Sequence, residues 1–572
     1  MAGRPKPLAY LIGFALIAGL SWFAFSRIGG THAATGSGAN GQFTQEELAK
    51  MKGGAEAPDA NTVTTSKEYN FVPSARLPEV HGSSAYKPMV DRTVRLALNV
   101  WAGWAPLIYA NHGMKAGKTW TDANGKPFKM ELVLIDDPVQ MRDAVAAGNV
   151  HIGWATLDMV PLFVEGLRRD SRTMPRIYQQ IDFSNGGDGI VVRSDVKSVS
   201  DLRGKTCVLA QNSPSQYFLM NTLLNGGVQP GEVNMKYTQD AFQAAAAFNA
   251  DKSIACVVSW APDIYNLEKV AGNRMLVNTQ TANKLIADVW WARADFAKDN
   301  PAILEGLMRG IFDAMETLKS DSAKTTVSKY MADGYSIPEA DARGMLGDAH
   351  WTNVAENKEF FLNQNNQANF EQTWNNAYFI YRRLAVVTDK TPFDQVMDFS
   401  LIQKVAADPK YAKQRDEYQV TFVPTTASSV RAESNEILTK TVVIQFFPNS
   451  DDLDMTITEP NGEKHKYDPN AAAVLDDIGR LAAQYGAARI LIEGHTDASM
   501  RGQVDPEAVK ELSLRRANAV KQALTRKFKN LQPNQFVTEG FGWDRPADPN
   551  DPQNFAKNRR VEVKVYPLEA VK

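Results

Sequence analysis

The chain has 572 residues and sets 63 Lys+Arg against 65 Asp+Glu, with 44% hydrophobic residues. At roughly 100–200 residues per domain this length holds about three or four folding units, and the ordinary composition excludes collagen-like, wholly disordered and multi-span membrane classes. The charge balance offers no positive field to nucleic acid, two cysteines are too few for a disulfide scaffold or a four-thiolate zinc site, and the seven histidines include no HExxH run, so neither a nucleic-acid partner nor a metal site is expected.

The first element in chain order is the uncharged apolar run 8–25, LAYLIGFALIAGLSWFAF, with Arg4 and Lys6 before it and Arg27 after it. Its 18 residues lie near the lower limit for a membrane-spanning helix and exceed the usual apolar core of a secretory signal. The basic flank favours an N-inside orientation. Residues 1–28 are therefore a signal anchor or a signal peptide cut near Thr31-His32-Ala33, and the anchor is the expectation. Either way the remainder is periplasmic, anchored in the first case to the inner membrane by one N-terminal helix. The Gly-, Pro- and polar-rich stretch 29–90 reads as a flexible linker with one short helix at the capping-box pattern Thr44–Glu47.

From Val94 short apolar runs alternate with amphipathic stretches, the pattern of an α/β fold. Strands are expected at 94–100, 131–135, 151–154, 189–192, 206–210 and 254–259, and helices at 138–147, 215–224 and 241–250. Near-continuous apolar strands such as CVLA and IACVVSW suit a parallel sheet covered on both faces. Residues 301–412 read almost entirely as helix.

In open α/β sheets ligands bind beyond the carboxyl ends of strands, often against helix N-termini. That rule selects Gly103, Trp104, Thr156, Asp188, Asn212, Ser213, Asp240 and Trp260 as solute contacts. Each has a plainer reading: a tryptophan at a strand end packs in the core, and Ser213 caps the next helix. No nucleophile elbow, phosphate loop or catalytic carboxylate pair stands here, so neither an enzyme nor a cofactor is expected. The contact loops hold few Arg or Lys but include Asp188 and Asp240, which favours a neutral or cationic organic solute over a small oxyanion. Cys207 and Cys256 fall at matching depths of two neighbouring strands, where disulfide geometry is poor, and are expected as buried free thiols.

Several blocks of this region resemble periplasmic solute-binding proteins of the sulfonate/nitrate/thiamine-precursor type, the binding components of ABC importers. They are VRLALNVWAGWAPLIYAN, DAVAAGNVHIGWATLDMVPLF, and GIVVRSDVKSVSDLRGKTCVLAQNSPSQYFL followed by ACVVSWAPDIYNLEKV. Asn149-Val150-His151 departs from the usual Glu-Val-Asp. The resemblance implies a two-lobed solute-binding domain over 91–420, closing by hinge motion on a small molecule, with an ABC permease as partner.

After a linker at 421–440 come strand TVVIQFF, helix 471–485, strand RILIEGHTD, helix 507–528, and strands FVTEGFG and RRVEVKVY. Arg516 interrupts an apolar helix stripe of Val509, Leu512, Val520 and Leu524. Four blocks, Gly494-His495-Thr496-Asp497, Leu512-Ser513 with Arg516-Ala517, Gly540-Phe541-Gly542 with Pro546, and Asn558 to Glu562, resemble the OmpA C-terminal, peptidoglycan-associated domain. Flagellar stator proteins of the MotB kind share it, and here it covers 441–568. The departures are an extended segment between Asp497 and Leu512, Val509 in place of the common Asn, and Asn554-Phe555 in place of Gly-Arg. The resemblance implies binding of peptidoglycan diaminopimelate, Asp497 taking the ammonium and Arg516 the neighbouring carboxylate. A stator role is excluded because 8–25 has no carboxylate to carry a proton. Two readings follow: a non-catalytic envelope receptor tethered to peptidoglycan, or a structural or signalling protein linking inner membrane to cell wall without import.

Overall fold

The apolar segments between Thr93 and Trp351 build two sheets from twelve described strands: β1 Thr93–Leu98, β2 Thr119–Thr121, β3 Pro127–Leu134, β4 Ile152–Thr156, β5 Pro175–Ser184, β6 Asp188–Arg193, β7 Thr206–Ala210, β8 Asn234–Thr238, β9 Cys256–Trp260, β10 Asn273–Asn278, β11 Ala287–Arg293 and β12 Ala349–Trp351. The computed structural model describes residues 63–80 and 82–568. The apolar run 8–25 lies outside them, and among the described residues no helix is long and apolar enough to cross a membrane.

The first lobe carries the sheet β12-β5-β11-β4-β1-β3-β2, and the second carries β10-β6-β9-β7-β8. The expected parallel pairing holds for β1 with β3 and β4, and for β7 with β8 and β9. The sheets are nevertheless mixed, since β11 runs antiparallel to β4 and β5, and β6 antiparallel to β9 and β10. The connectivity demands this: β5 leaves the first lobe and β11 re-enters it, and a strand leaving through a hinge must oppose the one returning. Cys207 stands opposite Cys256 on β7 and β9, and both are buried free thiols, as expected.

Residues 301–412 are mostly helical, with β12 as an interruption that extends the first sheet. Helix Phe370–Arg383 packs against Val160–Leu167 of the first lobe and Pro214–Asn225 of the second. Its Asn376 Nδ2 donates to Tyr217 Oη at 3.0 Å.

The described part of the expected linker 29–90 is a packed strap. Val63 and Tyr69 pack on the apolar cluster of the second lobe, Thr65 N–H donates to Asp263 at 2.9 Å, and Val72 N–H donates to Tyr237 O at 2.8 Å. Further along, Ser84 and Lys87 N–H groups donate to Ala146 and Gly148 carbonyls of the first lobe. Extended chain with unpaired N–H groups bonds readily to an exposed sheet edge or helix end, which composition alone does not reveal.

The C-terminal domain has the sheet β13-β18-β16-β17, from β13 Leu438–Val442, β16 Ala488–His495, β17 Phe536–Gly540 and β18 Arg560–Pro567. A separate hairpin pairs β14 Thr456–Thr458 with β15 Lys464–Lys466. The expected strand 441–447 is displaced: pairing ends at Val442, and Gln445 N–H instead donates to Asp468 at 2.8 Å. The segment 421–440 is also not a free linker, because it contains helix Ala427–Glu433, whose Val430 packs with Leu491, Val537 and Tyr566.

Helix Pro506–Lys527 lies so close to the sheet that a Cβ on Gly494 would sit 2.1 Å from Ser513 O, and one on Gly540 would sit 2.4 Å from Lys510 O. Close approach also needs small residues on the helix, so its buried stripe is Ser513, Ala517, Val520 and Leu524. Of the expected stripe, Val520 and Leu524 are buried, while Ser513 and Ala517 take the places of Leu512 and Arg516.

This domain docks on the second lobe through buried polar bonds. Thr222 Oγ1 and Tyr485 Oη lie 3.0 Å apart, and Asn221 Nδ2 donates to Gln484 Oε1 at 3.2 Å. Tyr485→Phe strands the Thr222 hydroxyl in a buried interface and is expected to cost about 1–3 kcal/mol, read as a lowered urea midpoint.

Candidate functional site

The sheet edges at the two crossovers enclose a cavity of about 380 Å³. Its wall takes residues from the end of β4 (Trp154, Thr156), the end of β7 (Ala210), the end of β9 (Trp260) and the starts of β6 (Asp188) and β11 (Asp288), one in each sheet. Trp101, Asp136 and Phe242 complete much of the surface. This is the strand-end location expected for an α/β ligand site.

Five of the eight expected solute contacts line the cavity: Thr156, Asp188, Ser213, Asp240 and Trp260. Gly103, Trp104 and Asn212 do not. Trp104 is fully buried and its Nε1 donates to Asn99 Oδ1 at 2.8 Å, so its indole serves the core. Gly103 is packed so tightly on Asp182 that a Cβ would fall 1.6 Å from Oδ2. Asn212 adopts a φ of 54° and donates through Nδ2 to Ala75 O of the strap. Ser213 does not cap its helix; its hydroxyl donates back to Ala210 O at 2.8 Å.

The tryptophan that does face the cavity is Trp101, whose Nε1 donates to Asp182 Oδ2 at 3.2 Å. Trp154 stands beside it with its Nε1 donated to Ile135 O, and Phe242 meets Trp260 edge-on at 5.6 Å. Asp136, at the end of the β3 segment, accepts from Val100 N–H at 2.7 Å. These positions were open to the strand-end rule, except Asp288, which begins β11, a strand not among those expected from the sequence.

Burial dominates the electrostatics. It pushes the carboxyl of Asp136 up to about 7 against the Val100 bond, and Asp188 up to about 6 against the Ser184 hydroxyl. Asp288 is held well above the usual range by burial and by the Asp182 carboxyl directly opposite it. A raised folded-state value means full stabilisation below about pH 4 and loss as pH rises to the folded value. For Asp188 the rise from 3.8 to about 6 corresponds to about 3 kcal/mol. Asp188→Asn removes that dependence, so the stability of the variant relative to wild type is expected to rise by about this amount between about pH 4 and 7, measured by urea unfolding without ligand.

In the C-terminal domain Asp497 Oδ1 accepts from Ser499 N–H and Oδ2 pairs with Arg559 Nη1, each at 2.8 Å. Burial opposes the Asp497 charge, but these bonds outweigh it and hold the carboxyl below its ordinary value. Arg516 donates from Nε to Ser450 O at 2.9 Å and lies over the Phe446 ring. Asp497 and Arg516 influence each other's charge without a direct bond. Of the two arginines the sequence left open between supporting this site and facing solvent, Arg559 is the one paired with Asp497. Arg560 is buried and pairs with Glu562 at 2.7 Å.

His495 is buried and stacks on Phe541, as a structural residue does; burial lowers its pKa to about 4. Glu493, His495 and Glu562 bring three potential metal-ligand atoms together. Arg431 at 2.6 Å from Glu493, Arg560 at 2.7 Å from Glu562 and Lys564 at 3.5 Å from both already neutralise the two carboxylates, which makes this cluster a poor fit for a divalent ion.

Two family models match the chain: NMT1/THI5 like over residues 128–323, and the OmpA family over 462–560. The taurine-binding periplasmic protein of Escherichia coli (strain K12) is 27% identical over 212 residues, covering 36% of this chain and 63% of that protein. Outer membrane protein Omp38 of Acinetobacter baumannii is 36% identical over 119 residues, covering 20% of this chain and 31% of that protein. Among solved structures, the periplasmic aliphatic sulphonate binding protein of Escherichia coli aligns with a TM-score of 0.42 at 17% identity, covering 53% of this chain and 96% of that one. The chain thus joins two α/β lobes, of which residues 128–323 match the NMT1/THI5 like model, to a C-terminal domain whose residues 462–560 match the OmpA family.

Proposed function

We propose that this chain is a non-catalytic cell-envelope receptor that holds a small solute between its lobes and is tethered to peptidoglycan by its C-terminal domain. The observation that carries the reading is the cavity of about 380 Å³ formed where strand ends of both lobes meet at the crossovers. Its size and its mixture of aromatic walls with a few polar groups suit a small organic molecule. The two matched families support the pairing of solute binding with cell-wall binding. In this reading 8–25 remains attached as an inner-membrane anchor, the domains lie in the periplasm, and an ABC permease receives the solute. A thermal-shift screen of the full chain against small metabolites tests the receptor role, because a ligand that binds only the folded state raises Tm by mass action. Silence across a broad screen rejects it.

At the cell-wall site, Asp497 takes the ammonium of diaminopimelate and Arg516 its neighbouring carboxylate. Arg559 presently pairs with Asp497, and its half-exposed side chain is free to yield to a ligand ammonium. Asp497→Ala or Arg516→Ala leaves one charge unmatched and is expected to cost about 2–5 kcal/mol, at least a tenfold loss of retention on purified sacculi. Arg559→Ala is expected to lose less than either. Equal retention of wild type and both alanine variants, each shown folded by circular dichroism, rejects the assignment.

A further inference from the structure

The charges of the cleft define the class of solute, an inference that rests on reading the cleft as a solute site. We propose that the cavity takes a small organic cation, an ammonium or guanidinium compound without an acidic group, held by hinge carboxylates and enclosed by indole rings.

The lining contains Asp136, Asp137, Asp188, Asp240 and Asp288 but no Lys, Arg or His. Asp288 and Asp182 are direct cross-strand partners on β11 and β5, an arrangement in which two negative charges repel unless a proton or a cation lies between them. The groups facing Asp288 from the other elements are Asp158 after β4 and Asp188 on β6; Asp348 and Tyr265 face Asp188. None of these carries a positive charge.

The helix ends at the cleft are partly occupied by the protein's own groups. Asp137 accepts from the Val139 and Gln140 N–H groups at the start of helix Pro138–Ala146, and Asp240 accepts from Gln243 N–H at the start of Ala241–Ala250. The third helix begins at Pro214, which has no N–H, and the Gln216 and Tyr217 N–H groups donate to Ser213 O. A sulfonate entering here gives up its hydration among carboxylates.

Two further features point to a ligand. The buried Oδ2 of Asp136, on the cavity lining, has no hydrogen-bond partner among the described residues. Trp101, Trp154 and Trp260 supply the π faces that attract ammonium and guanidinium groups. Because burial raises the carboxyls of Asp136 and Asp288, an entering cation favours their ionised forms, and binding releases protons to solvent.

Titration calorimetry of the full chain with putrescine, agmatine, choline, taurine and ethanesulfonate tests the proposal. The expected result is binding of at least one of the three cations, weakened at least tenfold in both Asp188→Asn and Asp240→Asn, with heats that differ between phosphate and Tris buffers because protons are released. Asp240→Asn keeps an oxygen to cap its helix and therefore keeps the fold. Binding of taurine or ethanesulfonate with the cations silent overturns the cation class and leaves the receptor reading standing, as does cation binding that both variants leave unchanged. If all five are silent, the metabolite screen decides. A cationic hit upholds the proposal, a neutral or anionic hit overturns it alone, and no hit overturns it together with the receptor reading.

Discussion

Two aspartates set directly opposite each other, Asp182 and Asp288, stand where the chain passes between the lobes. Much of the cleft is arranged around that placement. Trp101 turns its indole N–H to Asp182, and Gly103 must lack a side chain because the carboxyl occupies the space. At the start of β6, Thr279 Oγ1 accepts from the Gly186 and Asp188 N–H groups while Ser184 Oγ bonds Asp188, tying the outgoing and returning crossovers together. Acid density therefore coincides with the hinge, so the charge state of the cleft and the geometry of closure involve the same residues.

The C-terminal domain is governed by a different constraint, the close approach of one helix to two strands. Gly494 and Gly540 are cross-strand partners, and Ser513 faces them from the helix, accepting from Gly542 N–H at 2.9 Å and donating to Lys510 O at 2.7 Å. Three of the sequence blocks that mark this domain are thus joined in one packing contact. Asp497 and Arg516 lie just past it, on a loop and on the helix, where that contact determines their separation.

The alternation of apolar runs made the α/β class legible, and the strand-end rule led to Thr156, Asp188, Ser213, Asp240 and Trp260 because these follow or begin clear strands. It failed between Trp101 and Trp104. They stand three residues apart on a short turn, yet Trp101 bonds a carboxyl 81 positions away while Trp104 turns back to Asn99. Sequence spacing carries no trace of such a contact. The strap was misread for a related reason: its residues are polar because they bond to the lobes through backbone groups, which composition cannot distinguish from bonding to water.

Helix Phe370–Arg383 touches both lobes, and its fully buried Tyr381 lies beside Asp158 behind the cavity. Together with the strap, it joins the two lobes by more than the two crossovers. For the lobes to part, this helix has to slide over one of its two neighbours, and the strap has to release or stretch. Such shear between packed surfaces proceeds in discrete steps and not by free bending. In the proposed receptor, release from the cleft would then depend on the lifetime of that packing as well as on contacts to the solute.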